Sequence, residues 1–299
     1  MPSNLNVTIQ DHWINTFSDT VYKLAQQTKA RLRGIVDFEP LKGENKFFDR
    51  VGSVEVQDIN PRSPEVIPSD LLWDRRLVTA SRVGVAFFVD DRDVERVLTD
   101  PKSTYAQRAA EALERDLDRC ILSAFNATVY TGKQGTTPIS AATDGVITVD
   151  ATAGFTYDTL LQLDANFQAY EIGNEIPIQK YLIISEQEHQ QLMKEAELIN
   201  KDFTDRAVVD EGALKKVMDM NLIIYGSKMA NPMLTVTSSV RANFCVASGA
   251  VKVGMPSSWD IKWSDRNDRW DTAQLKAKSE RGAVRMEGQR VQQVNSTAT

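Results

Sequence analysis

Three side chains that bind metal ions in many proteins stand close together in the sequence, Glu186, Glu188 and His189. These three side chains could together coordinate a metal ion. The same positions follow Ser185 at the start of a predicted helix, where a glutamate three residues after a serine forms a capping box. Helix-start placement explains the two glutamates better, and we expect an exposed His189 rather than a ligand.

Two further segments resemble binding sites only in part. Asp90, Asp91 and Asp93 form an acidic cluster, which suits the positive end of a helix dipole better than it suits a metal. Residues 131–135 read TGKQG and lack the Gly-Lys-Ser/Thr ending of a phosphate-binding loop. We therefore expect no metal site and no cofactor site.

Sequence motifs of nucleophilic and redox catalysis do not occur in the chain. There is no Gly-x-Ser-x-Gly elbow, Cys-x-x-Cys pair, His-Glu-x-x-His helix or Gly-x-Gly-x-x-Gly turn. The two histidines, His12 and His189, lie far apart in sequence, which leaves a Ser-His-Asp arrangement unsupported. We expect a protein that is not an enzyme.

Composition narrows the class of protein further. The 299 residues are 42% hydrophobic, with a formal net charge of −6 and a pI of about 5.2. This acidic balance argues against a nucleic-acid grip built on phosphate neutralisation. The longest apolar run, 83–89, is too short to cross a bilayer, and no secretory signal is expected. Cys120 and Cys245 lie in apolar patterns, so we expect two free thiols.

The elements that must position any site are organised around one long helix, predicted over residues 104–126. Thr104 and Gln107 have the spacing of a capping box, and Glu111 stands four residues before Arg115 on the polar face. Apolar positions recur every three or four residues: Tyr105, Ala109, Leu113, Leu117, Cys120, Ile121 and Ala124.

Ahead of this helix the sequence predicts an amphipathic helix over 10–33 and then a ribbon. Two extended segments, 46–58 and 71–89, flank a connection that holds three prolines. Residues 50–82 are charged on both faces and have little to bury, and such a ribbon is marginal by itself. It lies either across its own domain or across another copy, and the residues leave both arrangements open.

Residues 155–228 have an α/β pattern that predicts a helix from 156 to 170, a buried strand at 181–184, a helix to about 198, a further helix at 211–219 and a buried strand at 222–225. Short strands return after Pro232, and 282–287 is expected to be the final strand. The α/β segment therefore reads as an insertion between the long helix and the last strands.

Several local stretches resemble one protein family: 47–52 (FFDRVG), 100–107 (DPKSTYAQ), 181–193, 210–225 (DEGALKKVMDMNLIIY) and 282–287. Together with the order of the parts, these stretches resemble the major capsid proteins of tailed bacteriophages over nearly the whole chain. The match in 210–225 is approximate, because Glu211 interrupts the family's Asp-Gly and Met220 replaces a glycine.

The resemblance implies an α+β protein with a Hong Kong 97-like capsid fold. Its implied parts are an N-terminal arm (1–34), an extended β-hairpin loop with flanking strands (35–90), a peripheral domain (91–154 and 229–299) with a spine helix (104–126), and an inserted α/β axial domain (155–228).

The function implied is a major capsid protein that self-assembles through hexamers and pentamers into an icosahedral shell. The shell would enclose a phage dsDNA genome without sequence-specific binding, in a virion assembled in the host cytoplasm. Expected partners are other copies, a portal protein, a cement protein and a separate scaffolding protein, since the arm-like helix is reached by residue 10. No cofactor and no membrane are expected.

The resemblance also places the ribbon over the adjacent subunit. The residues expected at that interface are Arg50, Arg62, Trp73, Arg75 and Arg76. Because little core is expected at these positions, changing Arg75 and Arg76 together to Glu should block assembly and leave the fold intact.

Two other functions stay open at this point. One is an encapsulin-like nanocompartment shell, which would package a cargo enzyme instead of a genome. The other is a soluble α/β enzyme whose site the sequence does not reveal. Copurified DNA or a packaged protein distinguishes the two kinds of container.

Overall fold

A computed structural model of the chain describes residues 27–56, 68–89, 101–173, 178–195, 209–210, 213–214, 216–229, 231–256, 260–266, 268 and 272–298. The chain divides into two compact units. Unit 1 comprises Met1–Lys29, Val83–Arg115 and Ser258–Ser279, and unit 2 comprises Ala30–Arg82, Asp116–Ser257 and Glu280–Thr299.

The helices of the described residues are α1 (Pro101–Asn126), α2 (Tyr157–Ala169) and α3 (Glu186–Leu192), with 3₁₀ turns at Leu32–Gly34 and Gly288–Arg290. The strands are β1 (Asp37–Pro40), β2 (Asn45–Val51), β3 (Trp73–Thr79), β4 (Ser81–Val89), β5 (Val129–Thr131), β6 (Thr137–Ile139), β7 (Ile147–Ala151), β8 (Lys180–Ser185), β9 (Val209–Asp210), β10 (Ala213–Leu214), β11 (Lys216–Val217), β12 (Met220–Tyr225), β13 (Val236–Thr237), β14 (Val240–Ala247), β15 (Val251–Met255), β16 (Asp260–Arg266), β17 (Thr272–Arg285) and β18 (Val291–Thr297).

Unit 1 is built from the first turns of α1 against a small sheet. Strand β17 pairs with β4 and, antiparallel, with β16. Ala109 and Leu113 of α1 are buried against Leu275 and Ala277 of β17, because alternate residues of a strand share one face. Val83 and Phe87 of β4 pack against the same cluster.

Unit 2 contains a seven-stranded sheet in the order β11-β12-β8-β14-β18-β7, with β13 paired to β14. The pairs β12–β8 and β18–β7 are parallel, and β14 runs antiparallel to both β8 and β18. Helix α2 buries Leu160, Leu163 and Phe167 in a core shared with Leu182 and Ile184 of β8. Such all-apolar strands need cover on both faces, which predicts their central place in the sheet.

A second sheet of unit 2, in the order β2-β3-β5-β6, carries the ribbon. Its core consists of Leu41, Phe48, Val78, Val129, Val284 and Met286. Gly282 makes this packing possible, since a Cβ there would lie 2.5 Å from the Thr79 carbonyl oxygen and 2.6 Å from Val78 Cγ1.

A buried carboxylate fastens the N-terminal end of unit 2. Asp118 of α1 is fully buried and accepts hydrogen bonds from the backbone N–H groups of Arg31 and Leu32, at 3.0 and 3.1 Å. The hydroxyl of Tyr225 donates to the same carboxylate at 2.8 Å. Burial next to Asp118 raises the pKa of Tyr225, so the phenol keeps the proton that it donates.

The prediction of one long helix is confirmed, with corrections at its start and on one face. Helix α1 begins at Pro101, so Thr104 lies inside it and cannot cap it with Gln107. Glu111 is buried and pairs with Arg108 at 2.8 Å rather than with Arg115. Of the predicted apolar positions, Tyr105 is exposed, whereas Leu113, Leu117 and Ile121 are buried, as are Ala109 and Ala124.

The predicted helix over 10–33 is wrong where the structure describes it. Residues 27–31 are not helical, and only the 3₁₀ turn at Leu32–Gly34 follows; residues 10–26 lie outside the described chain. The first ribbon strand ends at Val51, and 52–56 are not a strand, although Val54 and Val56 alternate with polar residues. Gly52 still donates its N–H to the carbonyl of Leu72 at 2.9 Å, but the ladder between β2 and β3 ends at Val51↔Trp73.

Predictions for the α/β segment are confirmed in part. Both predicted strands and the capping box of Ser185 and Glu188 are present, but β8 is largely buried whereas Leu222, Ile223 and Ile224 of β12 are partly exposed. The helix predicted at 211–219 is wrong, because its described residues form β10, β11 and a tight turn in which Met218 and Asp219 have φ of 46° and 63°. Left-handed residues end a helix and suit a two-residue hairpin. The preceding helix ends at Leu192 rather than near 198.

Among the described strands of residues 155–228, only β9 and β10 pair with each other alone, whereas β8, β11 and β12 belong to the seven-stranded sheet. Strand β8 pairs with β14, and β14 pairs with β18, so the predicted boundary at residue 228 cuts through one sheet. The stretch 282–287 is also not the final strand: most of it belongs to β17, and β18 follows. Periodicity marks strands but carries no information about which strands pair.

The two cysteines are free, as predicted. Cys245 is fully buried and Cys120 is partly exposed. Burial raises the pKa of both thiols, which keeps them protonated and unreactive near neutral pH.

Substitution of Leu117 tests the buried face of α1 within unit 2. Its side chain is 2% exposed, so Leu117→Ala should lower the free energy of unfolding by about 2–5 kcal/mol through lost burial and a cavity. Leu161→Ala removes the same atoms from a side chain 45% exposed and should change it by less than about 0.5 kcal/mol. Urea unfolding measures both, and equal losses would contradict the assignment.

Candidate functional site

The two glutamates that first suggested metal chemistry have structural partners. Glu186 accepts from the backbone N–H of Ser227 at 2.8 Å, and Glu188 completes the cap of α3 while pairing with Arg241 at 3.0 Å. His189 is partly buried rather than exposed. Within the described residues no three histidine, cysteine or acidic side chains form a metal-binding group. Asp90, Asp91 and Asp93 lie outside those residues.

The glycine-rich loop is a hairpin turn between β5 and β6. Gly132 and Gly135 have φ of 90° and 67°, which explains the glycines through backbone conformation rather than phosphate binding. No helix of the described residues is long and apolar enough to span a bilayer.

The surface with functional potential is instead the base of the ribbon, which we call the ribbon root and define as strands β2 and β3. The two strands are antiparallel from Asn45↔Thr79 to Val51↔Trp73, and Phe48 faces Arg76 across them. Strand β3 also meets β5 at the pair Arg76↔Thr131. Arg76 therefore stands in the middle of this sheet, where a charge needs a partner.

Asp144 supplies that partner, and it holds two arginines. Nη2 of Arg76 donates to Oδ1 of Asp144 at 2.6 Å, and Nε of Arg285 donates to Oδ2 at 2.8 Å. Both arginine side chains are fully buried, and the carboxylate is 3% exposed. Arg285 also donates to the carbonyls of Phe125 and Ala127, at 2.8 and 3.1 Å, at the C-terminal end of α1.

Electrostatics make this cluster most sensitive to the loss of Asp144, the carboxylate that both arginines share. Burial lowers the pKa of Arg285 from its ordinary value, while the hydrogen bond to Asp144 opposes that shift. Nη1 of Arg76 and Nη2 of Arg285 have no hydrogen-bond partner among the described residues. Removing Asp144 would leave both arginines buried without this carboxylate, and breaking a buried ion pair in this way typically costs 3–5 kcal/mol.

A half-exposed ion pair continues the cluster toward the ribbon's open end. Nε of Arg50 pairs with Asp74 at 2.9 Å, and its Nη1 donates to the carbonyl of Met286 at 2.9 Å. Nε of Arg76 lies 3.5 Å from the same Asp74 carboxylate. Gly288 lets the Asp144 segment approach, since a Cβ there would lie 2.2 Å from the Asp144 carbonyl oxygen.

The outer surface of the ribbon root differs from this interior. Trp73 is 67% exposed, and Arg75 extends over the ring of Phe47 at 5.5 Å and pairs with Asp49 at 3.2 Å. A cleft of about 380 Å³ opens here, lined by Asp49, Trp73, Asp74, Arg75, Gly132 and Lys133. An aromatic side chain beside mixed charges in an open cleft is typical of a protein contact surface.

Four of the five predicted interface residues are described, and they differ in burial. Trp73 and Arg75 lie on the surface, Arg50 is half-buried, and Arg62 lies outside the described residues. Arg76 is a correction: it is fully buried and bonded to Asp144 within its own unit, so it cannot reach a neighbouring subunit.

The sequence reasoning missed Asp144 and Arg285. They lie 68 and 209 residues from Arg76, and no local motif marks them. The one indication in the sequence is Arg76 itself. It is a charged residue directly before the apolar pair Leu77 and Val78 in a predicted strand, so it needs a partner if the strand is buried.

Single charge reversals distinguish buried Arg76 from exposed Arg75, two neighbours that look equivalent in the sequence. Arg76→Glu puts a second carboxylate beside Asp144 in a buried site and should lower the free energy of unfolding by at least about 3 kcal/mol. Arg75→Glu removes an exposed pair, which is worth about 0–1 kcal/mol. Urea unfolding followed by circular dichroism measures both variants. An Arg76→Glu protein as stable as Arg75→Glu would contradict the buried placement.

The chain was compared with protein families and with curated protein sequences. A family model described as "Phage capsid protein" matches residues 9–297. No curated protein sequence matches the chain.

Solved structures with the same fold come from phage shells. The capsid of cyanophage P-SCSP1u has a TM-score of 0.72 at 13% identity, covering 97% of this chain and 95% of that one. The head of Helicobacter pylori bacteriophage KHP40 has a TM-score of 0.71 at 9% identity, covering 100% and 98%. The capsid of Ralstonia phage GP4 has a TM-score of 0.64 at 12% identity, covering 95% of each chain.

The identities are low, so these structures establish the mixed α/β fold, and the family match over almost the full length carries the assignment. The protein therefore belongs to the phage capsid protein family and is a major capsid protein.

Proposed function

We propose that this capsid protein assembles through hexamers and pentamers into an icosahedral shell around a dsDNA genome, and that the ribbon root makes the contact between neighbouring subunits. The observation that carries this proposal is the contrast within one hairpin. Its inner side is fixed by buried charges, whereas its outer side exposes an aromatic side chain and paired charges.

Exposed apolar side chains on and beside the ribbon root support the contact. They are Val51, Val54, Val56, Leu71, Leu72 and Trp73. A soluble monomer rarely keeps so many large apolar groups together in water, and such patches mark interaction sites. A second copy is the natural partner in a shell made of many copies, since burial of these side chains stabilises each contact.

The charges around Trp73 suit a rim rather than a core of the contact. Arg75 and Asp49 are about half exposed and already paired, so they can exchange partners at little cost when another subunit approaches. Tryptophan and arginine are the residues that most often dominate the binding energy of an interface. We infer that Trp73 contributes most of the binding energy of the contact between subunits, and that Arg75 fixes how the two subunits are aligned.

The finer architecture follows the same proposal. We infer a Hong Kong 97-like arrangement with residues 1–34 as the arm, 35–90 as the extended loop and α1 as the spine helix. The axial domain is proposed around 155–228 together with β14 and β18, because those strands share its sheet. The remainder of 91–154 and 229–299 would form the peripheral domain.

The proposed function also implies partner proteins and a place of assembly. A portal protein, a scaffolding protein and a cement protein are the expected partners, and assembly would take place in the host cytoplasm. The capsid family is structural, and we infer no catalytic role and no cofactor. The family match favours a phage shell over a nanocompartment.

Substitution of Trp73 tests the subunit contact. Trp73→Ala should leave the helix signal in circular dichroism unchanged, because the side chain lies largely in water in the isolated chain. It should raise the protein concentration needed for shell formation about tenfold or more, given roughly 2 kcal/mol for an interface anchor. Sedimentation across a concentration series measures the threshold.

A matched control is Tyr170→Ala, which truncates an aromatic side chain 44% exposed at the end of α2. It should leave the assembly threshold within about twofold of the unchanged protein. The proposal fails if Trp73→Ala forms shells at the original concentration, or if both variants shift the threshold equally.

A further inference from the structure

The outer face of the unit 1 sheet carries a group of cations that the shell fold does not explain. Leu275 and Ala277 of β17 face α1, so Lys276 and Lys278 project from the opposite face. The register sets Lys262 of β16 directly opposite Lys276, and Asp260 opposite Lys278. We call the set Lys262, Arg266, Lys276 and Lys278 the basic strip.

A lysine directly across from another lysine is unfavourable in an antiparallel pair. Like charges at this position destabilise the sheet by an amount of the order of tenths of a kcal/mol. Asp260 relieves part of the repulsion, with its two oxygens at 3.3 Å from Lys262 and 2.9 Å from Lys278. Lys276 is exposed and has no ion pair within the part of the chain that the structure describes.

The strip keeps an excess of positive charge after its internal pairs are counted. Arg266 pairs with Asp268 through two of its nitrogens, and Asp260 serves two lysines. Four cations and two carboxylates leave an excess of two positive charges on one face of a chain whose net charge is −6. A local rule broken without a stabilising gain is typical of a functional surface.

We propose that the basic strip contacts the phosphate backbone of nucleic acid, an inference that rests on the proposed function because it takes the enclosed genome as the partner. Residues two apart in a strand are about 6.8 Å apart. Two phosphate steps along one strand of duplex DNA advance about the same distance along the helix axis. Lys276 and Lys278 therefore match the backbone in charge, and their spacing is of the order of the phosphate repeat.

The chemistry of the strip also sets the kind of contact. Lysine is a point charge without the planar fork that reads guanine, and the one arginine is already held by Asp268. Binding should be weak, independent of base sequence and sensitive to salt. The net charge argues against strong binding by the whole chain, but it does not exclude a local contact of two or three phosphates.

The test is binding of a fluorescent 30-base-pair duplex of random sequence to the purified full-length protein, followed by anisotropy between about 25 and 200 mM NaCl. Each phosphate contact contributes about 0.9 to the slope of log affinity against log salt. The double variant Lys262→Gln/Lys276→Gln should therefore reduce the magnitude of this slope by about 2.

The matched control is Lys42→Gln/Lys194→Gln, which removes two positive charges from exposed positions in unit 2. Its slope should equal that of the unchanged protein. Equal changes in the two double variants, no change in either, or no binding at 25 mM salt would each overturn the inference. Tighter binding of labelled polyglutamate than of DNA would also overturn it, in favour of an acidic protein partner.

Electron microscopy of the same preparations keeps this inference separate from the proposed function. Shells formed by the Lys262→Gln/Lys276→Gln protein with the salt slope reduced support both. If the unchanged protein forms shells but does not bind DNA, the inference about the basic strip is wrong and the proposed function stands.

Discussion

The ribbon root depends on one carboxylate shared by two buried arginines. Asp144 pairs with Arg76 in the middle of β3 and with Arg285 at the end of β17, at 2.6 and 2.8 Å. Arg285 in turn binds the last carbonyls of α1, so the hairpin, the long strand and the helix meet at one point. A buried ionic cluster adds little net stability but tolerates few alternative geometries, which suits a part whose direction matters.

A second buried carboxylate joins distant segments in the same way. It lies near residue 116, where the part of α1 that belongs to unit 2 begins. Asp118 holds two backbone amides of the N-terminal segment and the hydroxyl of Tyr225. In both places one aspartate ties segments distant in sequence to the helix or its end. Together they fix Arg31 and Leu32 of the described N-terminal segment, and the ribbon root, next to the helix.

Local physics made much of this fold predictable from sequence. Helix α1, the strands β8 and β12 and the capping box at Ser185 follow from periodicity and short-range hydrogen bonding. Those features depend on residues within a few positions of each other. The same reasoning failed at 211–219, where a hairpin with Met218 and Asp219 in left-handed conformations replaces the expected helix.

The site was less predictable, because its energetics depend on distant pairs. A charged residue in a strand reads as exposed, and Arg76 and Arg75 look equivalent until Asp144 is placed beside only one of them. Pairing of β8 with β14, which extends the α/β segment beyond residue 228, is likewise invisible to any local pattern.

The central claim is that Asp144 and Arg76 act together to hold the ribbon root, and a double-mutant cycle measures this most directly. Arg76→Met, Asp144→Leu and the double variant would be compared with the unchanged protein by urea unfolding. Residues in one buried network are expected to show a coupling energy of about 1–3 kcal/mol, the double variant losing less than the sum of the single changes. A coupling below about 0.5 kcal/mol would contradict the account, because the two side chains would then contribute independently.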